Sequence, residues 1–562
     1  MASITHLTKP QRWDSPYDPE MSEKDVAWLM DQPEIITLDA EAYPEHTPLK
    51  GILKNDTRLL HYKVGDIIVR EGDYGNSAFL ILSGRVRIFA DSYPSLLLGR
   101  DKSTKKGFLD TISQIWTNSK IPEARDTNSY KAQTVCDDQK IKNYKYSTTN
   151  RIFIEDISEV LKKFHTIEKG KSELFGELAA LGRVPRTATV FAETETTLLE
   201  IRWQGIREIR RYNEAFRHTI DQCYRENALT IHLRETELFS ELDENTLSKI
   251  ANETLFETYG GFDWYISFQR LRSSGQWGVE HEPVIAQQND YADGLLMIRA
   301  GFARVSIEYG SGQRTLTYLS SGDTFGYEEL FATWESGSPV NLKASLTALG
   351  YVDVLRVPGR ILEEYVFPKI KSLASIKTEA NTKTLVDDAM LEWAVEERFI
   401  NATKSMLIDL NRCVRCDDCV RACASTHNGN PRFIRHGKTF NHWMVVNACM
   451  HCSDPVCMIG CPTGGIYRNE IDGTVVINDD VCIGCSNCAT ACPYNNIQMV
   501  KIRSESGEEL FDRETNKPIL KATKCDLCST TPGGPACVRA CSHDALSRVD
   551  FRREMFVDDD AL

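Results

Sequence analysis

The chain contains 562 residues, with 66 Lys and Arg against 80 Asp and Glu, a formal net charge of -14 and 41% hydrophobic residues. At about 100 to 200 residues per domain, this length predicts several domains and excludes a single small module. The acidic balance argues against nucleic-acid binding, because nucleic-acid phosphates need a basic surface. The sequence has no run of 18 apolar residues and no apolar leader at its start. We therefore expect a cytoplasmic protein without direct membrane insertion.

The 18 cysteines are unevenly placed along the chain. Cys136 and Cys223 stand alone, and the other 16 lie between Cys413 and Cys541. A disulfide scaffold would need an oxidising compartment, and no export signal is visible in the sequence. The clustered thiols are therefore predicted to be metal ligands, and the two isolated ones to be ordinary thiols.

The N-terminal half shows two patterns. Residues 1–50 are predicted to form an irregular arm with one short helix around Glu23–Met30. From Leu59 onward, apolar and polar residues alternate between glycine-containing turns, which predicts short strands joined by tight turns. This first domain spans 51–237, and a polar, charge-rich stretch at about 91–170 is predicted to be an insertion within it.

A second copy of the same plan is predicted for residues 238–357, where a capped helical segment is again followed by strand-like alternation. Residues 358–405 are predicted to form a helical linker, and residues 406–562 contain the clustered cysteines. Two repeats of the same plan account for residues 51–357 better than one large domain does.

One segment of the first domain, FGELAALGRVPRTATV at residues 175–190, points to a phosphate ligand. Gly176 opens a short predicted helix, whose free N–H groups and positive dipole end favour an anion. Glu177 can accept a hydrogen bond from a ribose hydroxyl, and Arg186 can hold two phosphate oxygens with its planar fork. These groups suit a cyclic phosphodiester and its sugar.

The segment resembles the phosphate-binding cassette of cyclic-nucleotide-binding domains. The resemblance implies a mainly-β roll with flanking helices and a cyclic-nucleotide site formed by Gly176, Glu177, Leu178, Arg186 and Thr187. Family members with a hydroxyl after the Arg often favour cGMP, so both cGMP and cAMP stay open as ligands. The alternative is a domain that keeps the fold without binding a cyclic nucleotide.

The second repeat departs from this pattern. Phe325-Gly326 and Glu328 or Glu329 align with the cassette, but the counterpart of the Pro-Arg pair reads Asn341-Leu342-Lys343. Lys343 would supply a point charge without the bidentate fork of an arginine. We expect a degenerate cyclic-nucleotide-binding domain that is nucleotide-free or altered in its ligand.

The 16 clustered cysteines form four groups. Groups one and three have the C-x2-C-x2-C-x3-C spacing of bacterial ferredoxins, in which the fourth thiolate binds a neighbouring cluster. Sixteen thiolates at four per cluster predict four 4Fe-4S clusters. Zinc is the alternative metal, and it fits best at group four, where eight residues separate the second and third cysteines. A 3Fe-4S cluster also stays open as an alternative cluster type. The groups are Cys413, Cys416, Cys419, Cys423; Cys449, Cys452, Cys457, Cys461; Cys482, Cys485, Cys488, Cys492; and Cys525, Cys528, Cys537, Cys541.

The order of the groups resembles the four-cluster iron-sulfur subunits of dimethyl sulfoxide reductase-type oxidoreductases. That resemblance implies an α+β poly-ferredoxin domain in which groups one and four interleave, as do groups two and three. The four ligand sets it implies are a first set of Cys413, Cys416, Cys419 and Cys541; a second set of Cys423, Cys525, Cys528 and Cys537; a third set of Cys449, Cys452, Cys457 and Cys492; and a fourth set of Cys461, Cys482, Cys485 and Cys488.

The predicted function is that of a non-catalytic electron-transfer subunit of a cytoplasmic oxidoreductase, gated by cyclic nucleotide. The sequence shows no dinucleotide fingerprint or P-loop, so a catalytic flavoprotein, pyridine-nucleotide or molybdenum subunit is the expected partner in a hetero-oligomer. The clusters would add about -8 to the net charge. The alternative is a redox or oxygen sensor that couples cluster state to cyclic nucleotide signalling.

Overall fold

The computed structural model describes most of the chain. Cys136 and most of the insertion predicted at 91–170 lie outside the described residues. Among the described residues, none of the helices combines the length and the apolar character needed to cross a membrane. The described residues are 6–89, 157, 161–162, 164, 166–182, 185–239, 242–261, 264–274, 279–310, 312–369, 388–427, 429–470, 472–504, 508–529 and 534–551.

The N-terminal segment is more regular than the irregular arm predicted for residues 1–50. Ser22 caps the first helix, since its side chain accepts from the Asp25 N–H and the Asp25 carboxylate accepts from the Ser22 N–H. The apolar residues Leu29 and Ile52 are fully buried in one core with the first domain, so packing orders this segment. Its elements are β1 (His6–Leu7), α1 (Glu23–Met30), α2 (Pro33–Ile36), a 3-10 turn (Ala40–Ala42) and α3 (Leu49–Asp56).

The first roll, Thr57–Arg202, consists of two four-stranded sheets of order β2-β9-β4-β7 and β3-β8-β5-β6. Alternation along β4 places Phe79 and Ile81 in the core between the sheets, and Leu80 against the N-terminal helices. The strands are β2 (Thr57–Tyr62), β3 (Ile67–Val69), β4 (Ser77–Ser83), β5 (Val86–Phe89), β6 (Thr166–Lys169), β7 (Leu174–Phe175), β8 (Val190–Ala192) and β9 (Thr196–Arg202). The helices are α4 (Glu177–Gly182), α5 (Trp203–Tyr212) and α6 (Glu214–Glu235).

The second roll, Leu255–Pro358, repeats this strand order as β10-β17-β12-β15 and β11-β16-β13-β14. Each strand of the first roll therefore has a counterpart at the same place in the second. The strands are β10 (Leu255–Tyr259), β11 (Val284–Ala286), β12 (Gly294–Ala300), β13 (Ala303–Tyr309), β14 (Gly312–Leu319), β15 (Thr324–Phe325), β16 (Ser345–Ala348) and β17 (Val352–Pro358). The helices are α7 (Glu244–Glu253), α8 (Trp264–Ser273), α9 (Tyr327–Ser336) and α10 (Gly359–Tyr365), with 3-10 turns at Glu237–Phe239, Val279–His281 and Phe367–Lys369.

The cysteine-rich region contains one four-stranded sheet of order β19-β20-β18-β26 and two hairpin-like pairs, β21-β22 and β23-β25. The N-terminal β1 pairs in parallel with β24 of this region, which ties the start of the chain to its C-terminal part. The strands are β18 (Ser405–Asp409), β19 (Ile434–Phe440), β20 (Trp443–Asn447), β21 (Ile466–Arg468), β22 (Val475–Ile477), β23 (Gln498–Lys501), β24 (Phe511–Asp512), β25 (Leu520–Thr523) and β26 (Leu546–Val549). The helices are α11 (Asp388–Glu396), α12 (Asp418–Thr426), α13 (Asn487–Ala491) and α14 (Ala536–Arg539), with 3-10 turns at Phe399–Asn401 and Val456–Met458.

A buried ion cluster joins the second roll to the segment that leads into the cysteine region. The Glu282 carboxylate lies 3.0 Å from Arg304 of β13 and 3.0 Å from Arg398. It also accepts a hydrogen bond of 2.7 Å from Thr347. Arg304 reaches Glu392 of α11 at 2.7 Å. All of the bonded groups except Glu392 are nearly inaccessible to solvent, so this cluster holds the two parts of the chain together.

The substitution Glu282→Gln tests this joint. It leaves the Arg304 and Arg398 guanidinium groups buried with less compensating charge, and we expect it to lower the free energy of unfolding by about 3–5 kcal/mol. The matched control is Glu328→Gln, which removes an exposed carboxylate 3.4 Å from Lys343 and should change stability by less than about 0.5 kcal/mol. Anaerobic urea unfolding of the full chain measures both. Equal midpoints for the two variants would contradict the role assigned to Glu282.

Candidate functional site

The four C-x2-C turns of the cysteine groups share one backbone feature. In each turn the residue just before the second cysteine has a positive φ in the left-handed region: Arg415 at 60°, His451 at 49°, Gly484 at 65° and Leu527 at 59°. This conformation is rare for residues with a side chain and persists only where the surroundings enforce it. Each of the four predicted ligand groups therefore begins with a turn that has this feature.

Two cavities match two of the implied ligand sets. A cavity of about 340 Å³ is lined by Cys413, Cys416, Cys419 and Cys541, the four members of the first set. A second cavity of about 350 Å³ is lined by the four members of the fourth set, Cys461, Cys482, Cys485 and Cys488. Each set combines cysteines from two sequence groups, so chain folding places the thiols of distant groups around common points.

In the second and third sets, the effects of the cysteines on one another's pKa values show that their thiols lie close together. Burial raises the pKa of Cys452 and Cys457, and the neighbouring thiolates Cys449 and Cys492 raise it further. Burial likewise raises the pKa of Cys423, and Cys525, Cys537 and Cys528 act in the same direction. Without a cation between them, these thiols are therefore held in the neutral form. A metal that binds thiolates would reverse this preference.

Hydrogen-bond donors point at the sulfur atoms. One backbone N–H donates to the sulfur of each of Cys423, Cys492, Cys528 and Cys541, at distances of 3.2 to 3.5 Å. The Arg548 guanidinium donates to Cys525 Sγ at 2.9 Å. Donors of this kind stabilise negative charge on sulfur, and they are one of the ways in which a protein tunes an iron-sulfur centre.

Unpaired polar atoms show that the third set fits a bound group. The His451 side chain is 1% exposed, and its Nδ1 accepts the Val475 N–H at 3.0 Å. Its Nε2, and both amide atoms of the buried Asn496, have no partner within the described part of the chain. Buried donors without partners are costly. Since His451 and Asn496 lie beside the third-set cysteines in sequence, the inorganic sulfur of a cluster would supply acceptors for the His451 Nε2–H and the Asn496 amide N–H groups.

The first roll brings the predicted nucleotide residues together. Gly176 adopts φ +79°, and its carbonyl accepts a 2.7 Å hydrogen bond from the Arg186 guanidinium. Glu177, at 1% exposure, and Arg186, at 8%, are both buried. Thr187 is half-buried, and the Leu178 side chain lies outside the described residues. The positive φ explains the need for glycine at position 176.

Acidic groups of the protein compete for the Arg186 charge. Burial lowers the pKa of Arg186, and the carboxylates of Glu200, Glu470 and Glu177 act in the opposite direction. Glu200 belongs to β9 of the first roll, whereas Glu470 comes from the cysteine-rich region. A phosphate would therefore bind this guanidinium in competition with carboxylates of the same chain.

The second roll has a leucine where the first roll has Arg186. Leu342 exchanges backbone hydrogen bonds with Asn289 and Asp290, as Arg186 does with Gly72 and Asp73. Leu342 is also 5% exposed. Lys343 lies one residue further on, and its ammonium pairs with Glu328 on the surface. The second site carries no guanidinium at this position.

Sequence reasoning missed a half-buried pair beside the second ligand set. His427 Nε2 lies 3.0 Å from the Asp526 carboxylate, and His427 Nδ1 lies 2.9 Å from the Cys423 carbonyl. Burial raises the pKa of Asp526, but the His427 hydrogen bond and charge, the Cys528 N–H and the Arg432 charge together outweigh burial and lower this pKa to about 2. The two residues are 99 positions apart, and no local motif signals such a pair.

Two family models match the chain. The model of the cyclic nucleotide-binding domain matches residues 279–367, and the model of the 4Fe-4S dicluster domain matches residues 440–551. The first match lies on the second roll, although the cassette with the arginine lies in the first roll. The chain thus contains a cyclic nucleotide-binding domain and a 4Fe-4S domain.

Solved structures align over long stretches at low similarity. The regulatory domain of Toxoplasma gondii protein kinase A with cAMP is 15% identical, covers 68% of this chain and 97% of that chain, and has a TM-score of 0.19. A regulatory subunit of a cAMP-independent protein kinase A from Trypanosoma brucei is 14% identical, with 65% and 92% coverage and a TM-score of 0.21. At these TM-scores the alignments establish no structural equivalence.

Relatives of known sequence match about a quarter of this chain. The chain spans only 21% of the proposed oxidoreductase AegA of Escherichia coli K12, at 31% identity over 154 residues. Formate hydrogenlyase subunit 2 of the same strain is 31% identical over 172 residues, which are 26% of this chain and 81% of that protein. The proposed electron transport protein YsaA, also from K12, is 30% identical over 158 residues, which are 26% of this chain and 90% of that protein. Through this region, the chain belongs to the family of 4Fe-4S electron-transport proteins.

Proposed function

We propose that the chain is an electron-transfer subunit that relays single electrons through four 4Fe-4S clusters to or from a catalytic partner. The observation that supports this proposal is that cysteines of different sequence groups lie together. Those of the first and fourth sets line common cavities, and the thiols of the second and third sets act on one another's pKa values. When bound, the clusters supply one-electron redox chemistry. The protein supplies thiolate ligands, N–H donors to sulfur and burial.

The exposure of the cysteines supports a relay with two ends. Cys416 of the first set and Cys485 of the fourth set are exposed, whereas all members of the second set are buried. Electron exchange with a partner needs a centre near the surface, and a protected relay needs centres away from it. The first and fourth sets are therefore the proposed entry and exit points.

The expected partner is a catalytic flavoprotein, pyridine-nucleotide or molybdenum subunit in a hetero-oligomer. One relative in the family is named as a subunit of formate hydrogenlyase, which supports assembly with other chains. Anaerobic isolation of the native complex, followed by mass spectrometry and iron analysis, tests this part of the proposal. A chain that holds its iron but never associates with an oxidoreductase would contradict it.

Paired cysteine substitutions test the interleaved ligand sets. Cys416→Ala and Cys541→Ala should each remove about four of about sixteen irons and the same electron paramagnetic resonance (EPR) signal, because both residues belong to the first set. The double variant C416A/C541A should then lose no more iron than either single variant. C416A/C423A should lose about eight irons, since Cys423 belongs to the second set.

The matched control for this series is Cys223→Ala, which removes an isolated thiol in α6 and should leave the iron content unchanged. Anaerobic iron analysis and EPR of the reduced protein provide the two measurements. A loss of about eight irons in C416A/C541A would show that the two cysteines bind different clusters.

We further propose that cyclic nucleotide binds the first roll and controls electron flow. The convergence of Gly176, Glu177 and Arg186 supports this site, and the second roll offers an internal comparison because Leu342 replaces the arginine there. Arg186→Leu should weaken cAMP or cGMP binding by about 2–5 kcal/mol, the usual cost of removing one partner of a buried charged hydrogen bond. Titration calorimetry of the full chain measures this change.

The control for nucleotide binding is Lys343→Gln, which changes an exposed residue of the second roll and should leave the affinity unchanged. Stopped-flow reduction of the wild-type protein, with and without saturating nucleotide, then tests the gate. Equal reduction rates in both conditions would exclude gating, even if the nucleotide binds.

A further inference from the structure

The first roll is bonded to the part of the cysteine region that contains Cys461. Four side-chain or backbone N–H groups of the roll and of α5 donate to four backbone carbonyls between Ile459 and Glu470. The bonds are Arg207 to Ile459 at 2.5 Å, Arg202 to Thr463 at 2.9 Å, Asn76 to Arg468 at 3.2 Å and the Tyr74 N–H to Glu470 at 2.8 Å. The roll therefore fixes the backbone of this segment.

Arg468 lies at the centre of the contact. It is 4% exposed, and its guanidinium lies 5.0 Å from the centre of the Tyr74 ring, which is within cation–π distance. The same guanidinium donates to the carbonyls of Cys452 at 2.7 Å, Ser453 at 2.6 Å and Gly473 at 2.8 Å. These three acceptors are neutral carbonyls, which hold the guanidinium in place beside the Cys452 backbone.

The Arg468 charge therefore lies beside the third ligand set. Burial raises the pKa of Cys452, and Arg468 is a cation that acts against this rise. A fixed positive charge near an iron-sulfur centre favours the reduced form, because the reduced form carries one more negative charge. Removal of the charge should lower the reduction potential of that centre.

The turn that holds Arg468 also packs against the nucleotide cassette. Tyr74 forms a β-bridge with Pro185, and the Arg186 N–H donates to the Asp73 carbonyl at 2.7 Å. A methyl group built on Gly75 would lie 2.1 Å from the Arg186 guanidinium carbon, so the turn packs directly on that side chain. One short turn thus contacts Arg186 on one side and Arg468 on the other.

We propose that Arg468 is a positioning residue through which the first roll sets the reduction potential of the centre held by Cys449, Cys452, Cys457 and Cys492. Tyr74 keeps the Arg468 cation against the backbone of Cys452. Because Cys452 is a ligand of the third set, the Arg468 charge then lies close to the proposed centre. This inference rests on the proposed function, namely that the third set holds an iron-sulfur cluster. It does not require that a nucleotide binds.

Redox titration of the purified full chain, monitored by EPR, tests the inference. Arg468→Met should lower the equilibrium constant for reduction of one centre at least tenfold. For a one-electron couple, this corresponds to a fall of about 59 mV in the midpoint potential of that centre. Tyr74→Leu should shift the same centre in the same direction by a smaller amount, because the cation remains but is less well held. Arg468→Lys should restore most of the potential, since it keeps the charge.

The matched control is Tyr291→Leu. Tyr291 bridges Asn341 in the second roll as Tyr74 bridges Pro185 in the first, but it is 69% exposed. This variant should leave every midpoint potential unchanged. Iron content identical to that of the wild type shows that a variant has kept its clusters. If R468M loses iron, the midpoint potentials of Y74L and R468K test the role of Arg468 instead.

The possible failures can be told apart. A wild-type chain without reducible iron clusters would overturn the proposed function itself. A wild-type chain with four reducible centres, combined with unchanged potentials in iron-loaded R468M and Y74L, would overturn only the role of Arg468. A shift spread equally over all centres would also contradict that role, because Arg468 donates to the backbone of Cys452 and Ser453, at the third set.

Discussion

The pairing of β18 with β26 is the contact on which the cysteine region depends. Its register joins Ser405 to Val549 and Ile408 to Leu546, and so brings the first cysteine group beside the fourth across more than 100 residues of chain. Closing such a loop costs entropy, which a strand pair with a buried face can offset. Once these strands pair, Cys541 lines the same cavity as Cys413, and sequence groups two and three fill the interval between them.

The sequence predicts some features well because they depend on local chemistry. Alternation from Leu59 and the cysteine spacings indicate the strands of the first roll and the ligand groups, since both patterns repeat within a few residues. The sequence does not predict that Leu342 occupies the position of Arg186, because that equivalence follows from backbone bonding. Nor does it predict the docking of residues 459–470, whose acceptors are backbone carbonyls and leave no signature in side-chain identity.

The two rolls share a strand order but differ in how they contact the third ligand set. The first roll reaches it through Arg468, and the second through Gln269 of α8, whose amide donates to the Cys492 carbonyl at 3.1 Å. Tyr494, which follows Cys492 closely, donates to the Arg398 carbonyl at 2.7 Å, and Arg398 belongs to the buried ion cluster with Glu282. The third set therefore lies where contacts from both rolls meet, whereas the first and fourth sets each include one exposed cysteine, Cys416 and Cys485.

Charge balance explains why so many cations are buried in an acidic protein. Lys521 and Lys524 are each 2% exposed and donate to carbonyls next to cysteines, and Arg548 donates directly to Cys525 Sγ. Buried cations are costly unless an opposite charge compensates them. Four thiolate-bound clusters would contribute about -8 in the same volume, so these cations and the clusters compensate each other. Their placement makes the fold of the cysteine region depend on its proposed cofactors, because without them both the thiols and the cations lose their counter-charges.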